Sequence, residues 1–98
     1  MAIAEFSVLP AVPEERVNDI VEKAIQVVID SGLKYEVEPN STTVEGDLDE
    51  LLDVIKRAHI VARDQGSGRV VTIIKIDDRR GGITMEEKIK KFRKEVKR

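Results

Sequence analysis

Between Leu33 and Glu50 the chain reads LKYEVEPNSTTVEGDLDE, and this stretch limits the possible folds more than any other. Leu33, Tyr35 and Val37 alternate with Lys34, Glu36 and Glu38, the period of two that marks a half-buried strand. Pro39, Asn40 and Ser41 supply turn chemistry, because proline presets φ while asparagine and serine bond the local backbone. Thr42, Thr43 and Val44 resume a β-branched strand, and Glu45-Gly46 is expected to break it. Asp47 then stands where a helix cap is needed, with Glu50 at the capping-box spacing. Strands this close in sequence pair as an antiparallel hairpin, so the centre of the chain is a hairpin feeding straight into a helix.

The flanking segments extend the pattern. Ala2 to Leu9 reads as a first strand with Ala2, Ala4, Phe6 and Val8 on its core side and Ile3, Glu5, Ser7 and Leu9 on the other. Pro13 with Glu14 and Glu15 opens a helix whose apolar stripe is Val17, Ile20, Val21, Ala24, Val27 and Val28, and Gly32 stops it. The second helix is expected over Leu48 to Asp64, with Leu48, Leu51, Leu52, Ile55, Ala58 and Ala62 inward. Val70 to Ile76 is a nearly unbroken apolar run, which implies burial on both faces. Thr84 and Glu87 have the spacing that starts a last helix, with Met85, Ile89, Phe92 and Val96 as its narrow apolar stripe. No internal repeat, low-complexity tract or dividing linker interrupts residues 1–98, which read as one domain.

The order strand, helix, strand, strand, helix, strand predicts an α+β, ferredoxin-like βαββαβ sandwich with an extra C-terminal helix. In such a sheet the two helices cover one face. The other would carry Ile3, Leu9, Val71 and Ile73 beside Glu5, Ser7, Lys75 and Asp77, which is too apolar to leave in water. Face-to-face packing into a dimer is therefore expected. A chain of 98 residues buries only roughly two-thirds of its unfolded surface, so self-association would also add stability.

Charged residues make up 37% of the chain at a net charge of only -2, so the signs are interleaved and no broad basic field exists for nucleic acid. The same charge density would suit a heat-stable protein. The absence of cysteine excludes disulfides, thiolate metal sites and cysteine nucleophiles. Neither a leader nor an apolar run of membrane-spanning length is evident, so a cytoplasmic location without membrane contact is expected. His59 has no second histidine or cysteine for zinc and no triad partner, and is expected to be a partly buried helix residue; metal and cofactor are not expected.

Four pieces of this sequence resemble a known family in their order and spacing: SVLPAV, PNSTTVEG, VVTIIKIDDRRGG and GGITMEEKI. The family is a set of small thiamine-binding proteins with a ferredoxin-like fold. The resemblance spans nearly the whole chain. It implies a non-enzymatic, homo-oligomeric protein, a tetramer built from dimers, that binds thiamine or its hydroxymethylpyrimidine moiety. Thiamine presents a cationic ring and an aminopyrimidine that donates and accepts hydrogen bonds. Tyr35, Asn40, Ser41, Thr42, Thr43 and Glu45 offer the matching hydroxyl, amide, carboxylate and aromatic groups, with Glu36 and Glu38 as further counter-charges. Without the resemblance, the same segment reads as a turn with solvent-facing strand residues.

Glu5, Ser7, Lys75 and Asp77 make a second constellation, since the first and last strands are neighbours in this fold. They read either as ordinary cross-strand pairing or, with Ser7 and Lys75 as ligand contacts, as the lining of a cavity at a subunit junction. Gln65-Gly66-Ser67-Gly68 reads as a connector, since the lysine of a phosphate loop is missing. Asp77 to Gly82 reads as a charged turn. The basic residues Lys88, Lys90, Lys91, Arg93, Lys94, Lys97 and Arg98 suit the negative end of the last helix dipole. A second functional class remains open: a structural or regulatory module that self-associates and senses another small molecule.

Overall fold

Alternation in the first strand decides which side of the sheet becomes the core. In the computed structural model, which describes residues 1–93, β1 (Ala2–Pro10) buries Ala2, Ala4, Phe6 and Val8 beneath two helices. The helices are α1 (Glu14–Asp30) and α2 (Leu48–Gln65). Val96 of the expected apolar stripe and Lys94, Lys97 and Arg98 of the basic cluster lie outside the described residues. Three more strands complete the sheet: β2 (Lys34–Glu38), β3 (Ser41–Gly46) and β4 (Val70–Asp77). Their order is β2-β3-β1-β4 and every pairing is antiparallel, which with both helices on one face is the expected ferredoxin-like α+β architecture.

Ile20, Ala24 and Val28 of α1 meet Leu51, Val54, Ile55, Ala58 and Ala62 of α2 in the core. The α2 stripe is rotated from the expected one. Leu48 and Leu52 are exposed and Val54 is buried, because Leu52 lies about 100° around the helix from Leu51 and the sheet selects the Leu51 side. The Asp47 N–H donates to Glu50 Oε1 at 3.1 Å, forming the return half of the expected capping box. His59 is half-buried, with Nδ1 2.6 Å from Thr72 Oγ1, so it joins α2 to β4.

Two expectations about the strands require correction. Glu45 and Gly46 do not break β3: they pair with Ile3 and Ala2, and the missing Cβ of Gly46 leaves room for Leu33, whose methyls would stand 3.4 Å from it. β4 is not buried on both faces within this chain. It is an edge strand that pairs only with β1, and Val71, Ile73, Ile74 and Ile76 are all exposed.

The last helix, α3 (Met85–Arg93), sits against the sheet face that α1 and α2 leave open. Thr84 Oγ1 accepts the Glu87 N–H at 3.1 Å, so the expected cap is present. Gly81 and Gly82 carry φ of +90° and +94° in the preceding turn, a region that glycine enters without strain. Arg79 locks that turn by donating from Nε and Nη2 to the Gly82 carbonyl at 3.0 and 2.7 Å. Met85 is buried in this arrangement, and so is Ile3. Part of the surface expected to require a second subunit is therefore covered by the chain's own helix. Leu9, Val71 and Ile73, at the other end of the same face, stay exposed at 53%, 47% and 59%.

Candidate functional site

Register places a row of polar side chains straight across the open face. Lys75 of β4 stands opposite Glu5 of β1, Glu5 opposite Thr43 of β3, and Thr43 opposite Glu36 of β2. Since strand side chains alternate in direction, all four share one surface. The neighbouring positions extend it through hydrogen bonds. Thr43 Oγ1 donates to Glu38 Oε1 at 2.6 Å, and Ser41 Oγ lies 3.2 Å from that oxygen and 3.3 Å from Glu5 Oε2. Lys75 Nζ is 4.0 Å from Glu5 Oε1.

This polar floor is roofed on one side by α3, and between them lies a cleft of about 820 Å³. Its wall is apolar: Ile3 from the sheet, and Met85, Ile89 and Phe92 from α3. Lys88 of α3 donates to Asp77 Oδ2, and both residues line the cleft. A hydroxyl-and-carboxylate floor against an apolar wall suits a flat, partly polar, positively charged molecule. A smaller hollow of about 510 Å³ lies along the β2 edge, lined by Lys34, Tyr35, Glu36, Met85, Glu86, Ile89 and Lys90.

The structure brings some of the sequence-derived site residues together and separates others. Thr43 and Lys75 line the cleft, and Ser41 bonds to two of its carboxylates. Thus the hairpin and the Glu5, Lys75 and Asp77 constellation, read separately in the sequence, border one space. Ser7 is on the same face, opposite Ile73 and outside the cleft lining. Thr42 points the other way: it is buried on the helix side, opposite Phe6. Tyr35 is also on the helix side, opposite Val44, and borders the smaller hollow. Asn40 is exposed in the turn. Glu45 is buried at 7% exposure and accepts the Met85 N–H at 2.6 Å, which ties β3 to the start of α3.

The residues that sequence reasoning missed are those of α3, namely Met85, Lys88, Ile89 and Phe92. The signal was present in an amphipathic stripe with no assigned partner. Among the described residues no group of three or more His, Cys, Asp or Glu is placed to hold a metal ion, and no helix is long and apolar enough to cross a membrane.

Residues 4–93 match the model of a family described as thiamine-binding protein. The chain belongs to the thiamine-binding protein family. A UPF0045 protein of Clostridium perfringens is 42% identical over 88 residues, covering 90% of this chain and 93% of the relative. Among solved structures, a Bacillus cereus domain of unknown function superposes with a TM-score of 0.89 at 45% identity, covering 98% of this chain and 93% of that one. A candidate thiamine biosynthesis/salvage protein of Thermotoga maritima superposes with a TM-score of 0.86 at 36% identity, covering 93% and 97% of the two chains. The sheet and all three helices of this member thus have counterparts over nearly their full length.

Proposed function

We propose that the protein is a non-enzymatic, homo-oligomeric binding protein for thiamine or its hydroxymethylpyrimidine moiety, and that the cleft between the sheet and α3 is the site. The observation that carries this reading is the row Lys75, Glu5, Thr43 and Glu36 facing the apolar wall of Ile3, Met85, Ile89 and Phe92. Carboxylates offset the thiazolium charge, and the Thr43 hydroxyl can exchange hydrogen bonds with the aminopyrimidine. The wall takes the flat faces of the rings. Family membership and the thiamine description of the Thermotoga maritima neighbour support the ligand class.

Of the residues proposed for the site, Thr43 and Lys75 contact the ligand in one protomer, with Glu5, Glu36 and Glu38 as counter-charges and Ser41 acting through its bonds to Glu5 and Glu38. Ser7, Tyr35 and Asn40 can reach it only from beyond the cleft lining, Thr42 from neither side of that lining, and Glu45 acts through α3. Isothermal calorimetry with thiamine and with the pyrimidine alcohol tests the proposal. Saturable heat with either is the expected result; no heat and no thermal shift with both would remove it. The exposed Leu9, Val71 and Ile73 favour a second reading, a module whose business is self-association, in which Thr43 is dispensable and Ile73 is not.

A further inference from the structure

The two edges of the sheet are built differently. β2 is 5 residues long, carries Lys34, Glu36 and Glu38 on the open face, and runs into Pro39, which has no N–H to offer. Shortness, charge and proline are the devices that discourage a further strand from joining an edge. β4 lacks them over most of its 8 residues, where Lys75 is the one charge before the terminal Asp77. Among the described residues it pairs with β1 alone, so no strand lies along its outer side. Its exposed side chains are apolar on both faces, with Val71 and Ile73 on the open face and Ile74 and Ile76 on the helix side. An edge of this kind is a template for another strand.

We infer that β4 is the assembly edge of this protein and that its occupant is β4 of a second copy, paired antiparallel about a two-fold axis at Ile73, so that two sheets become one. This edge-to-edge contact differs from the face-to-face packing expected from the sequence. A two-fold axis lets one surface serve both copies. Residues directly opposite in an antiparallel pair share a face, so near-complete overlap of β4 with itself leaves only Ile73 or Ile74 on the axis. An axis at Ile74 sets Asp77 against the partner's Val71 and Asp78 against the partner's Val70, two carboxylates on apolar side chains. With the axis at Ile73, Thr72 meets the partner's Ile74, Val70 meets the partner's Ile76, and Asp77 meets the partner's Arg69. Arg69 is exposed, and its carbonyl accepts the Ala11 N–H at 3.1 Å, which continues the β1–β4 ladder and holds Arg69 in register. Charge complementarity at both ends of the contact therefore selects Ile73. Asp77 lines the cleft, so the partner's Arg69 borders the site of its neighbour. The interface itself does not depend on the thiamine reading.

The chain has no cysteine, so single cysteines introduced into it report the contact without background. Opposite residues of an antiparallel pair have Cα atoms about 4.5–5.5 Å apart, within the span of a disulfide. Under mild copper-catalysed air oxidation of the full chain, Ile73→Cys is expected to give a covalent dimer. Leu9→Cys, one strand in from the edge, is expected to cross-link at least about tenfold more slowly, and Ile74→Cys, on a diagonal of about 7–8 Å, is expected to be slower than Ile73→Cys as well. Leu9, Ile73 and Ile74 are exposed, so none of these substitutions opens the core. Arg69→Glu sets a carboxylate against Asp77 at both ends of the contact. It is expected to raise the dimer dissociation constant, read by sedimentation equilibrium, at least about fivefold at low salt and by less at high salt. Faster cross-linking of Leu9→Cys than of Ile73→Cys would mean stacked faces and overturns the inference, as does a covalent dimer from none of the three variants. Faster cross-linking of Ile74→Cys, or a dissociation constant that Arg69→Glu leaves unchanged, overturns the axis at Ile73 and the place of Arg69 beside the cleft.

Discussion

Glu45 is a carboxylate almost fully withdrawn from water whose observed hydrogen bond is to the first N–H of α3, at 2.6 Å. A helix start presents unsatisfied donors and a positive dipole end, so a carboxylate there is stabilised where a buried charge would otherwise be costly. Glu45→Ala is expected to lower unfolding free energy by about 1–3 kcal/mol and to raise hydrogen exchange in α3 more than in α1. Glu45→Gln, which keeps an acceptor, is expected to fall between the two proteins. Unchanged exchange across residues 85–90 in Glu45→Ala would show that other contacts hold the helix. The adjacent threonines separate ligand from core in the same way. Thr43→Ala is expected to weaken thiamine binding by about fivefold to tenfold, the worth of roughly one hydrogen bond, with little loss of stability. Thr42→Val, on the helix side, is expected to leave binding unaltered. The sequence named both threonines for their hydroxyls; strand alternation requires that they point opposite ways, but which of them faces the cleft is decided only when Thr42 is seen opposite Phe6.

Among the elements, α3 shows most clearly where sequence reading succeeds and where it ends. Its existence was legible from the Thr84 cap and the stripe Met85, Ile89 and Phe92, since both are local signals that need no partner. Its destination was not. That depends on the backbone path through Asp78 to Thr84, set by two positive-φ glycines and the Arg79 bond to the Gly82 carbonyl, and on the acceptor Glu45 forty positions earlier. β1, β2 and the first two helices were legible because each carries a period of two or 3.6 over a full element, β3 because its residues are β-branched, and β4 because it is an apolar run of strand length. The rotation of α2 was not, because Leu48, Leu52 and Val54 are all plausible members of one stripe until the sheet selects among them. Phe92 tests whether α3 serves the cleft as well as the fold. It lines the cleft at 62% exposure, so Phe92→Ala removes little buried area. Thiamine affinity is expected to fall by about tenfold, consistent with losing an aromatic wall of roughly 1–1.5 kcal/mol, while the thermal midpoint stays close to the wild type. A large loss of midpoint with unchanged affinity would make Phe92 a packing residue instead.

For the whole molecule the unresolved physical demand is the apolar end of the open face. Leu9, Val71 and Ile73 are contiguous across β1 and β4, where Leu9 stands opposite Val71 and Ser7 opposite Ile73. They lie beyond the reach of α3 and face water in the single chain. On the reverse side of the same edge strand, Ile74 and Ile76 are exposed as well, so β4 offers apolar surface in both directions. Burying one such side chain is worth about 1.5–3 kcal/mol, and a symmetric contact buries each residue twice. A dimer or tetramer at micromolar concentration is therefore expected from light scattering. Ile73→Asp would place a carboxylate in that contact in every copy, and is expected to shift the equilibrium to monomer while the helix content of the chain is retained. Its effect on the ligand then separates the two functional readings. Ile73 is two positions from Lys75 on the same face, so a cleft completed by a neighbouring protomer would lose affinity when the copies part, whereas a cleft complete in one chain would bind thiamine as the wild type does. A wild-type protein that stays monomeric at all concentrations would show that Leu9, Val71 and Ile73 tolerate water, and the oligomeric part of the proposed function would fall with it.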